Sequence, residues 1–481
     1  MDRLNDKSPQ ITTEQIVKLL KPWALWSSAI ESSTITDVTL HLQQSSSSQV
    51  VFYRLTNGER ALELLKQRIE SSNFGLLIIT GAWSQDEECG NVIQVSEDGF
   101  LLAQQAVADL FYCNNHKMKL VGVTGTNGKT TVVSLAEQIS NNLGHAAICA
   151  GTIGMFANAI QVEGNFGNTT PSYIDLRKFI HRYQNSYEVL FFELSSHALV
   201  QQRVFDLQLD GAMWTSFSQD HLDYHKTMNA YFDAKLMIAT HALKADRSLL
   251  LPAAEKELIK RVKSCFERVQ LCRTLEQWGF GEIPLFFRPD YNRSNLELAL
   301  QINQELWGQV APFDLERLKT PDGRFSTMKV GDALVVIDYA HTPEALERVL
   351  AAIREGFPER PLSVLFGCGG DRDRTKRPLM GEVAIRLADR VYITSDNPRS
   401  EDPQSIIDEI ICQIDSQRDS VFVEVDRTNS IIDALGRLRP QELLLIAGKG
   451  HEQYQEIAGE KFQFSDFEVV KKFNQKQGEG S

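Results

Sequence analysis

The sequence predicts an α/β protein of three domains: a small N-terminal α/β domain, a central parallel sheet and a C-terminal α/β domain. Three observations lead there. The chain has 481 residues, which at roughly 100–200 residues per domain suggests about three domains. Its short apolar runs end in Gly-rich or polar turns and alternate with stretches of helical periodicity, the pattern of parallel sheets with crossover helices. One of those turns, Thr124 to Thr131, carries the residue types that hold phosphate.

Composition narrows the setting. Hydrophobic residues make up 42% and charged residues 23%, so each domain can bury a core of its own. The net charge of −13 argues against nucleic acid as a main partner, because phosphate backbones need clustered cations. Seven scattered cysteines, an odd number with no C-x-x-C pair, read as reduced thiols rather than a disulfide framework or zinc site. The N-terminal stretch MDRLNDKSPQ is polar and charged, unlike a signal peptide. No apolar run approaches the roughly 18 residues of a membrane span. A cytoplasmic chain without membrane insertion is expected, as a monomer.

The first ~115 residues read as mixed strands and helices: Val50 to Leu55 and Leu76 to Thr80 as strands, Ala61 to Ile69 as a helix, and the Gln-Ser run Gln43 to Ser48 as a polar loop. No catalytic constellation stands out there. Lys119 to Thr124 is a β-branched apolar run followed by Gly125-Thr126-Asn127-Gly128 and a helix. Val132, Leu135, Ala136, Ile139 and Leu143 set that helix's period, and Gly144 ends it. Val189 to Leu194 and Gly211 to Phe217 read as further strands. A second series begins near Pro321, with strands at Ala333 to Asp338, Leu362 to Gly367, Arg390 to Asp396 and Leu443 to Gly448. Between the first two, Pro343 to Glu355 reads as a helix capped by Thr342. In such sheets ligands bind at the carboxyl ends of strands, where the polar motifs of this chain fall.

In the loop Gly125-Thr126-Asn127-Gly128-Lys129-Thr130-Thr131, glycines let backbone N–H groups face phosphate oxygens, and the helix start adds partial positive charge. Lys129 supplies a full charge and the Thr130 hydroxyl can ligate Mg²⁺. The general Walker spacing would place glycine where Val123 stands, so the loop is a variant. The bland alternative is a turn that merely needs glycine. Glu193 ends a buried strand, where its carboxylate can meet the neighbouring loop; with Thr130 it makes a hard oxygen site suited to Mg²⁺, or it is a solvated strand-end acid.

This loop resembles that of the Mur ligases and their folylpolyglutamate synthetase relatives. The resemblance extends over roughly residues 117 to 470. It is carried by Asn168-Thr169-Thr170-Pro171, Glu193-Leu194-Ser195-Ser196-His197, Gln219-Asp220-His221-Leu222-Asp223-Tyr224-His225 and Asp338-Tyr339-Ala340-His341-Thr342-Pro343. Gly369-Gly370-Asp371-Arg372-Asp373, Asp396-Asn397-Pro398-Arg399 and Gly448-Lys449-Gly450-His451-Glu452 complete it. Their order and spacing are similar to those of the branch that makes UDP-N-acetylmuramoyl-tripeptides. The resemblance implies a UDP-substrate-binding domain at 1–116, a central P-loop ATPase domain at 117–321 and a Rossmann-like, amino-acid-binding α/β domain at 322–481. The implied activity is ATP-dependent addition of meso-diaminopimelate to UDP-N-acetylmuramoyl-L-alanyl-D-glutamate through an acyl phosphate, in peptidoglycan synthesis. The alternatives are a ligase of the same superfamily with another acceptor, Lys-adding or folylpolyglutamate-type, and a nucleotide-binding regulatory protein.

The resemblance also implies roles. Lys129, Glu193, His221 and Lys235 would be catalytic. Two Mg²⁺ ions would be held by Thr130, Glu193, His221 and Lys235, the last as a CO₂-derived carbamate (N6-carboxylysine). Read from residue type alone, His221 would be a hydrogen-bonded structural histidine and Lys235 an ordinary helix lysine. Carbamylation needs a neutral amine, which burial favours. Beyond the loop, ATP would be met by Asn295 (with Asn292 beside it, unless these asparagines only cap a helix), Arg324, Asp338 and His341. The UDP-dipeptide would be met by Asn168, Thr169, Thr170, Ser195, Gln201 and Arg203. Diaminopimelate would be met by Arg372, Asp396, Asn397, Pro398, Arg399, Gly448 and Glu452. Arg399 can clasp a carboxylate in two-pronged fashion, and Glu452 would pair with the distal ammonium; otherwise Arg399 forms a surface ion pair with Glu401 or Asp402. The first domain departs from the family: Leu40-His41-Leu42 and the Gln-Ser loop stand where an Asp-Ser-Arg motif and a Gly-Asp-x-Phe turn are usual. No residue is assigned to uridine.

Overall fold

Continuous apolar strands need cover on both faces, and that requirement organises the chain. The computed structural model describes residues 10–55, 58–81, 83, 90–112, 115–158, 160–163, 168–280, 283–308, 310, 313–319, 321, 323–414 and 419–478. The polar N-terminal stretch up to Pro9, Cys89, Cys113 and Asp322 of the Asp322-Gly323-Arg324 turn lie outside the described residues. The chain divides into two compact units. One comprises 1–119, 170–188 and 200–208; the other comprises 120–169, 189–199 and 209–481. The segments 170–188 and 200–208 thus group with the N-terminal residues, although they lie within the expected 117–321 span.

In the first unit a five-stranded sheet runs in the order Ala24–Ser27, Val92–Val95, Leu76–Thr80, Gln49–Arg54, Asp37–Thr39. Its pairs are parallel except at the Ala24–Ser27 edge. Alternation sends Val50, Phe52 and Ile78 into one core and Val51, Leu77 and Ile79 into another. The predicted strands and helix appear, the helix as Glu59–Glu70. The helix Tyr173–Tyr183 belongs here as well. Its fully buried Arg177 donates to Asp206 (2.9 Å) and Asp109 (2.5 Å), so one guanidinium ties the inserted segments to the helix Phe100–Phe111.

The second unit carries two sheets. The larger has eight strands, in the order Ile160–Glu163, Gly154–Ala157, Ala147–Gly151, Val189–Glu193, Lys119–Thr124, Gly211–Trp214, Leu249–Leu251, Val269–Leu271. Gly154–Ala157 pairs antiparallel with both of its neighbours, Ile160–Glu163 and Ala147–Gly151. The helices Lys129–Asn142 and Asp290–Trp307 share its core through Val132, Leu135, Leu296 and Leu300. The phosphate-loop helix ends at Asn142, with Gly144 at φ +87° two residues on. The smaller sheet runs Ser326–Val330, Ala333–Asp338, Leu443–Ala447, Leu362–Phe366, Arg390–Ile393, Val421–Val423, antiparallel only at its first pair. Val336, Val364 and Leu445 face one core, and Val335, Leu365 and Leu444 the other. The helix Pro343–Gly356 starts as expected, with Thr342 Oγ1 accepting from Ala345 N and Pro343 in its first turn. No described helix is long and apolar enough to cross a membrane. The five described cysteines are free.

The carboxyl ends of these strands are pinned by charge. Arg427 is buried and donates to both oxygens of Asp466 (2.8 and 2.9 Å). It also donates to Ala447 O (2.9 Å) and Ser395 O (3.3 Å), and so holds the ends of the two strands that flank Leu362–Phe366. Replacing Arg427 by Ala leaves Asp466 charged and buried, and should cost about 3–5 kcal/mol. Urea unfolding measures this, and a loss under about 1 kcal/mol would show that the pair's desolvation cancels its attraction.

Candidate active site

The phosphate loop joins the strand Lys119–Thr124 to the helix Lys129–Asn142. Its glycines are there for conformation and closeness. Gly125 has φ +147°, and a Cβ there would collide with Thr215 Oγ1. Gly128 has φ +88°, and its Cβ would lie 2.5 Å from Asn295 Oδ1. The loop amides fall into two groups. Those of Thr126 and Asn127 are tied to Ser216 O (2.9 Å) and Oγ (3.0 Å) and hold the loop's shape. The amides that begin the helix are left to face an anion. Lys129 Nζ reaches back to Gly125 O (2.8 Å) and Thr126 O (3.0 Å), arching over its own loop. Burial lowers its pKa; Glu193 opposes that shift and Arg324 adds to it.

Glu193 meets the loop as its strand position suggested, and it is not a solvated acid: it is 1% exposed. Its Oε1 accepts from Thr130 Oγ1 (2.9 Å) and Thr152 N (2.9 Å), and its Oε2 from Thr152 Oγ1 (3.2 Å). Gly151 makes room, since a Cβ there would run into the Glu193 carboxylate. Thr130 Oγ1 also accepts from Arg324 Nη2 (3.2 Å), so the residue expected at the ribose and phosphates reaches the loop's hydroxyl. A hydroxyl and a buried carboxylate sharing one edge fit a hard divalent cation. Among the described residues no three His, Cys, Asp or Glu side chains group as a metal cage, and the expected set contains only two of those types.

Lys235 is fully buried in the helix Met228–Met237 and donates to Gly125 O (2.8 Å), the carbonyl that Lys129 also uses. Burial, then the neighbouring Lys129, lower its pKa well below the ordinary lysine value. It is not an ordinary helix lysine. Its Nζ lies 4.5 Å above the ring of Tyr231, whose hydroxyl is 3.3 Å from Thr126 Oγ1. His221 has a left-handed backbone, φ +55°. Its ring packs 6.0 Å from Tyr231 and 4.9 Å from His197. Burial lowers its pKa to about 3, with His197, Lys235 and Lys129 adding to the shift and Asp220 opposing it. Its imidazole is therefore neutral and able to donate a lone pair. Asp220, 3.5 Å from His221 and 3.9 Å from His341, is a further member that the motif contained and the sequence reading left without a role.

Of the residues expected at ATP, Asn127, Gly128, Thr131, Asn295, Arg324 and Asp338 line one small cavity of about 60 Å³, with Asn292 beside them; Gly125, Thr126, Lys129 and Thr130 do not. Asn292 does not cap the helix Asp290–Trp307: Pro289 holds the cap position and Asn292 Nδ2 donates to Phe286 O (2.9 Å). Asp338 accepts from Phe325 N (2.7 Å) and Ala340 N (2.8 Å) and so fixes the turn that carries Arg324. His341 is not among the residues lining this cavity. A larger cavity of about 1710 Å³ is lined by Thr152, Asn168, Thr169, Tyr339, His451 and Glu452 among others. Thr152 Oγ1 donates to Thr169 Oγ1 (3.2 Å) and couples that strip to Glu193, a link no motif announced. Ser195 Oγ accepts from Ala198 N (3.1 Å). Thr170, Gln201 and Arg203 belong to the first unit, where Arg203 donates to Gln201 Oε1 (2.7 Å) and to Thr170 O.

The residues expected at diaminopimelate gather at the carboxyl edge of the smaller sheet. Arg399 has a left-handed backbone, φ +52°, and donates to Gly370 O (2.6 Å). It lies 3.6 Å from Glu456, and not in an ion pair with Glu401 or Asp402. Glu401 is taken by Arg374 and Arg377, and Asp402 caps the helix Pro403–Ile411. Arg372 is exposed beside Gly369, near Arg399. Asp396, Asn397 and Pro398 are buried. Gly448 has φ +108°, and its Cβ would lie 2.6 Å from Asp396 Oδ2.

Residues 123–272 match the Mur ligase middle domain, and 323–450 match the family described as Mur ligase, glutamate ligase domain. The UDP-N-acetylmuramoyl-L-alanyl-D-glutamate–2,6-diaminopimelate ligase of Rickettsia bellii is 38% identical over 396 residues, 75% of this chain and 81% of the relative. The ligase of the same name from Aquifex aeolicus is 36% identical over 401 residues, 78% and 82% of the two chains. This chain belongs to the Mur ligase family. As a Mur ligase it is an ATP-dependent, amide-bond-forming enzyme. A solved structure of a UDP-N-acetylmuramoyl-L-alanyl-D-glutamate–2,6-diaminopimelate ligase aligns over 98% of this chain and 100% of the other, with a TM-score of 0.56 and 25% identity. The MurF ligase of Thermotoga maritima in complex with ADP aligns over 92% and 98%, with a TM-score of 0.60 and 15% identity, and supports the fold. In this Mur ligase the Gly151–Glu193 contact tests the site. Replacing Gly151 by Ala displaces the carboxylate and should cut ATP-dependent turnover on the order of 100-fold, with circular dichroism unchanged.

Proposed function

We propose that the enzyme adds meso-diaminopimelate to UDP-N-acetylmuramoyl-L-alanyl-D-glutamate in cytoplasmic peptidoglycan synthesis. The observation that carries this reading is the pairing of two edges in one unit. Thr130 meets Glu193 at the phosphate loop, while Arg399, with Glu452 of the large cavity, stands at the carboxyl edge of the smaller sheet. The relatives that share the name of this activity support it. The labour divides among a UDP-substrate domain at 1–116, an ATP domain at 117–321 and an amino-acid domain at 322–481.

In the reaction the substrate's terminal carboxylate attacks the γ-phosphorus of ATP, ADP leaves, and the amine of diaminopimelate displaces phosphate from the acyl phosphate. The chain's part is placement and charge. Lys129 exchanges the carbonyls of Gly125 and Thr126 for phosphate oxygens. Arg324 stands beside Thr130 where negative charge builds. Asn168, Thr169, Thr170, Ser195, Gln201 and Arg203 hold the UDP-dipeptide, and closure over the site keeps water from the acyl phosphate. Thr130, Glu193, His221 and a carbamylated Lys235 would hold two Mg²⁺ ions, which supply neutralisation of phosphate charge when bound. A neutral, buried Lys235 amine is the form that attacks CO₂.

Phosphate release from ATP should require both the UDP-dipeptide and diaminopimelate; L-lysine or glutamate in its place should give none. Release without the UDP-dipeptide, or with lysine instead, defeats the reading. Arg399→Ala should raise KM for diaminopimelate by about 2 kcal/mol, roughly 30-fold, and leave KM for ATP nearly unchanged. For Lys235, native mass spectra should carry the mass of one CO₂ that acid removes, and activity lost in CO₂-free buffer should return with bicarbonate. An unmodified lysine in a fully active enzyme would refute the carbamate.

A further inference from the structure

We propose that Lys449 is a positioning residue for the incoming amino acid, acting through the Glu452 carboxylate; the inference rests on the diaminopimelate reading above. Lys449 follows the strand Leu443–Ala447 and is 0% exposed, so it does not itself meet a ligand in the cavity. Its Nζ donates to Glu452 Oε2 (2.7 Å) and Asn397 Oδ1 (3.0 Å). Asn397 Nδ2 closes the triangle by donating to the same Glu452 Oε2 (2.8 Å). Asn397 Oδ1 takes a second bond from Glu456 N (3.0 Å). Three side chains thereby fix one another's rotamers, and the rings of Tyr454 and Phe464 flank the ammonium at 5.6 and 5.9 Å.

The hydrogen-bond inventory says what this triangle is for. Glu452 Oε2 is occupied by two donors. Glu452 nonetheless lines the large cavity, and its side chain is 15% exposed, so Oε1 is the oxygen left to accept from a ligand ammonium. Asn397 spends its carbonyl oxygen twice and its amide once inside the fold. These bonds fix the plane of its amide at the corner. The hairpin Tyr454–Ile457 and Glu460–Gln463 braces the same corner: Gln455 Nε2 donates to Asp396 O (2.7 Å), and Arg399 N donates to Glu456 O (3.0 Å). A buried ion pair is weak evidence for stability. A buried ammonium that sets the aim of one cavity-facing carboxylate has a functional use.

The test is steady-state phosphate release by the full-length enzyme, with KM measured separately for diaminopimelate, ATP and the UDP-dipeptide. Lys449→Met should raise KM for diaminopimelate roughly 10- to 100-fold, with the other two changed less than about twofold. The double variant K449M/E452Q should be no worse than E452Q alone, because Lys449 acts only through that carboxylate. Lys449→Arg, which keeps a donor in place, should show a smaller rise. Should K449M fail to fold, K449R carries the comparison by the same selectivity for one KM. Equal rises for all three substrates, or multiplying effects in the double variant, overturn the proposal. A wild-type enzyme that turns over a different amino acid overturns the substrate reading instead, and the Lys449 variants assayed with that amino acid still decide the positioning role.

Discussion

A carboxylate with almost no contact with water must be surrounded by donors, and the environment of Glu193 meets that demand. The hydroxyl of Thr130, the amide of Thr152 and the hydroxyl of Thr152 all point at it, and the missing side chain of Gly151 leaves it room. Thr130 lies in the phosphate-loop helix and Thr152 follows the strand Ala147–Gly151, so the charge ties the ends of the strands Ala147–Gly151 and Val189–Glu193 to that helix. Thr169 joins through Thr152, which extends the lock to the rim of the large cavity. Desolvation makes such a charge costly unless it is fully paired, and here the pairing also leaves hard oxygens together at one edge.

The positive side of the site is crowded in a complementary way. Lys129 and Lys235 both donate to the carbonyl of Gly125. Burial first, and the nearby Lys129 ammonium after it, hold the Lys235 pKa well below the ordinary lysine value. Tyr231 supports the pair, with its ring below Lys235 and its hydroxyl at Thr126. Burial and the neighbouring cation thus both favour the neutral amine at Lys235.

The smaller sheet completes the arrangement by reaching across within the same unit. Arg324 bonds to Thr130, Asp338 fixes the turn behind Arg324, and Gln219 Nε2 donates to Thr375 Oγ1 (3.0 Å). Arg348 meets Glu255 at 2.9 Å, both lining the small cavity beside Asn295. These contacts are polar and partly exposed. Arg427 and Asp466, by contrast, are fully buried.

Sequence alone determined the elements and the chemistry-bearing motifs. Strands covered on both faces, such as Leu362–Phe366 and Leu443–Ala447, must be written as continuous apolar runs, and a phosphate loop needs glycine where φ is positive, as at Gly125 and Gly128. Those are local demands and they leave local marks. The partners of Glu193 at Thr152, the shared carbonyl of Gly125, the placing of 170–188 with the N-terminal unit and the engagement of Asn397 by Lys449 left none. Each joins residues far apart in the chain through a hydrogen bond or a packed face. A hydrogen bond constrains the residue types at its two ends only loosely, and the fold alone decides which ends meet.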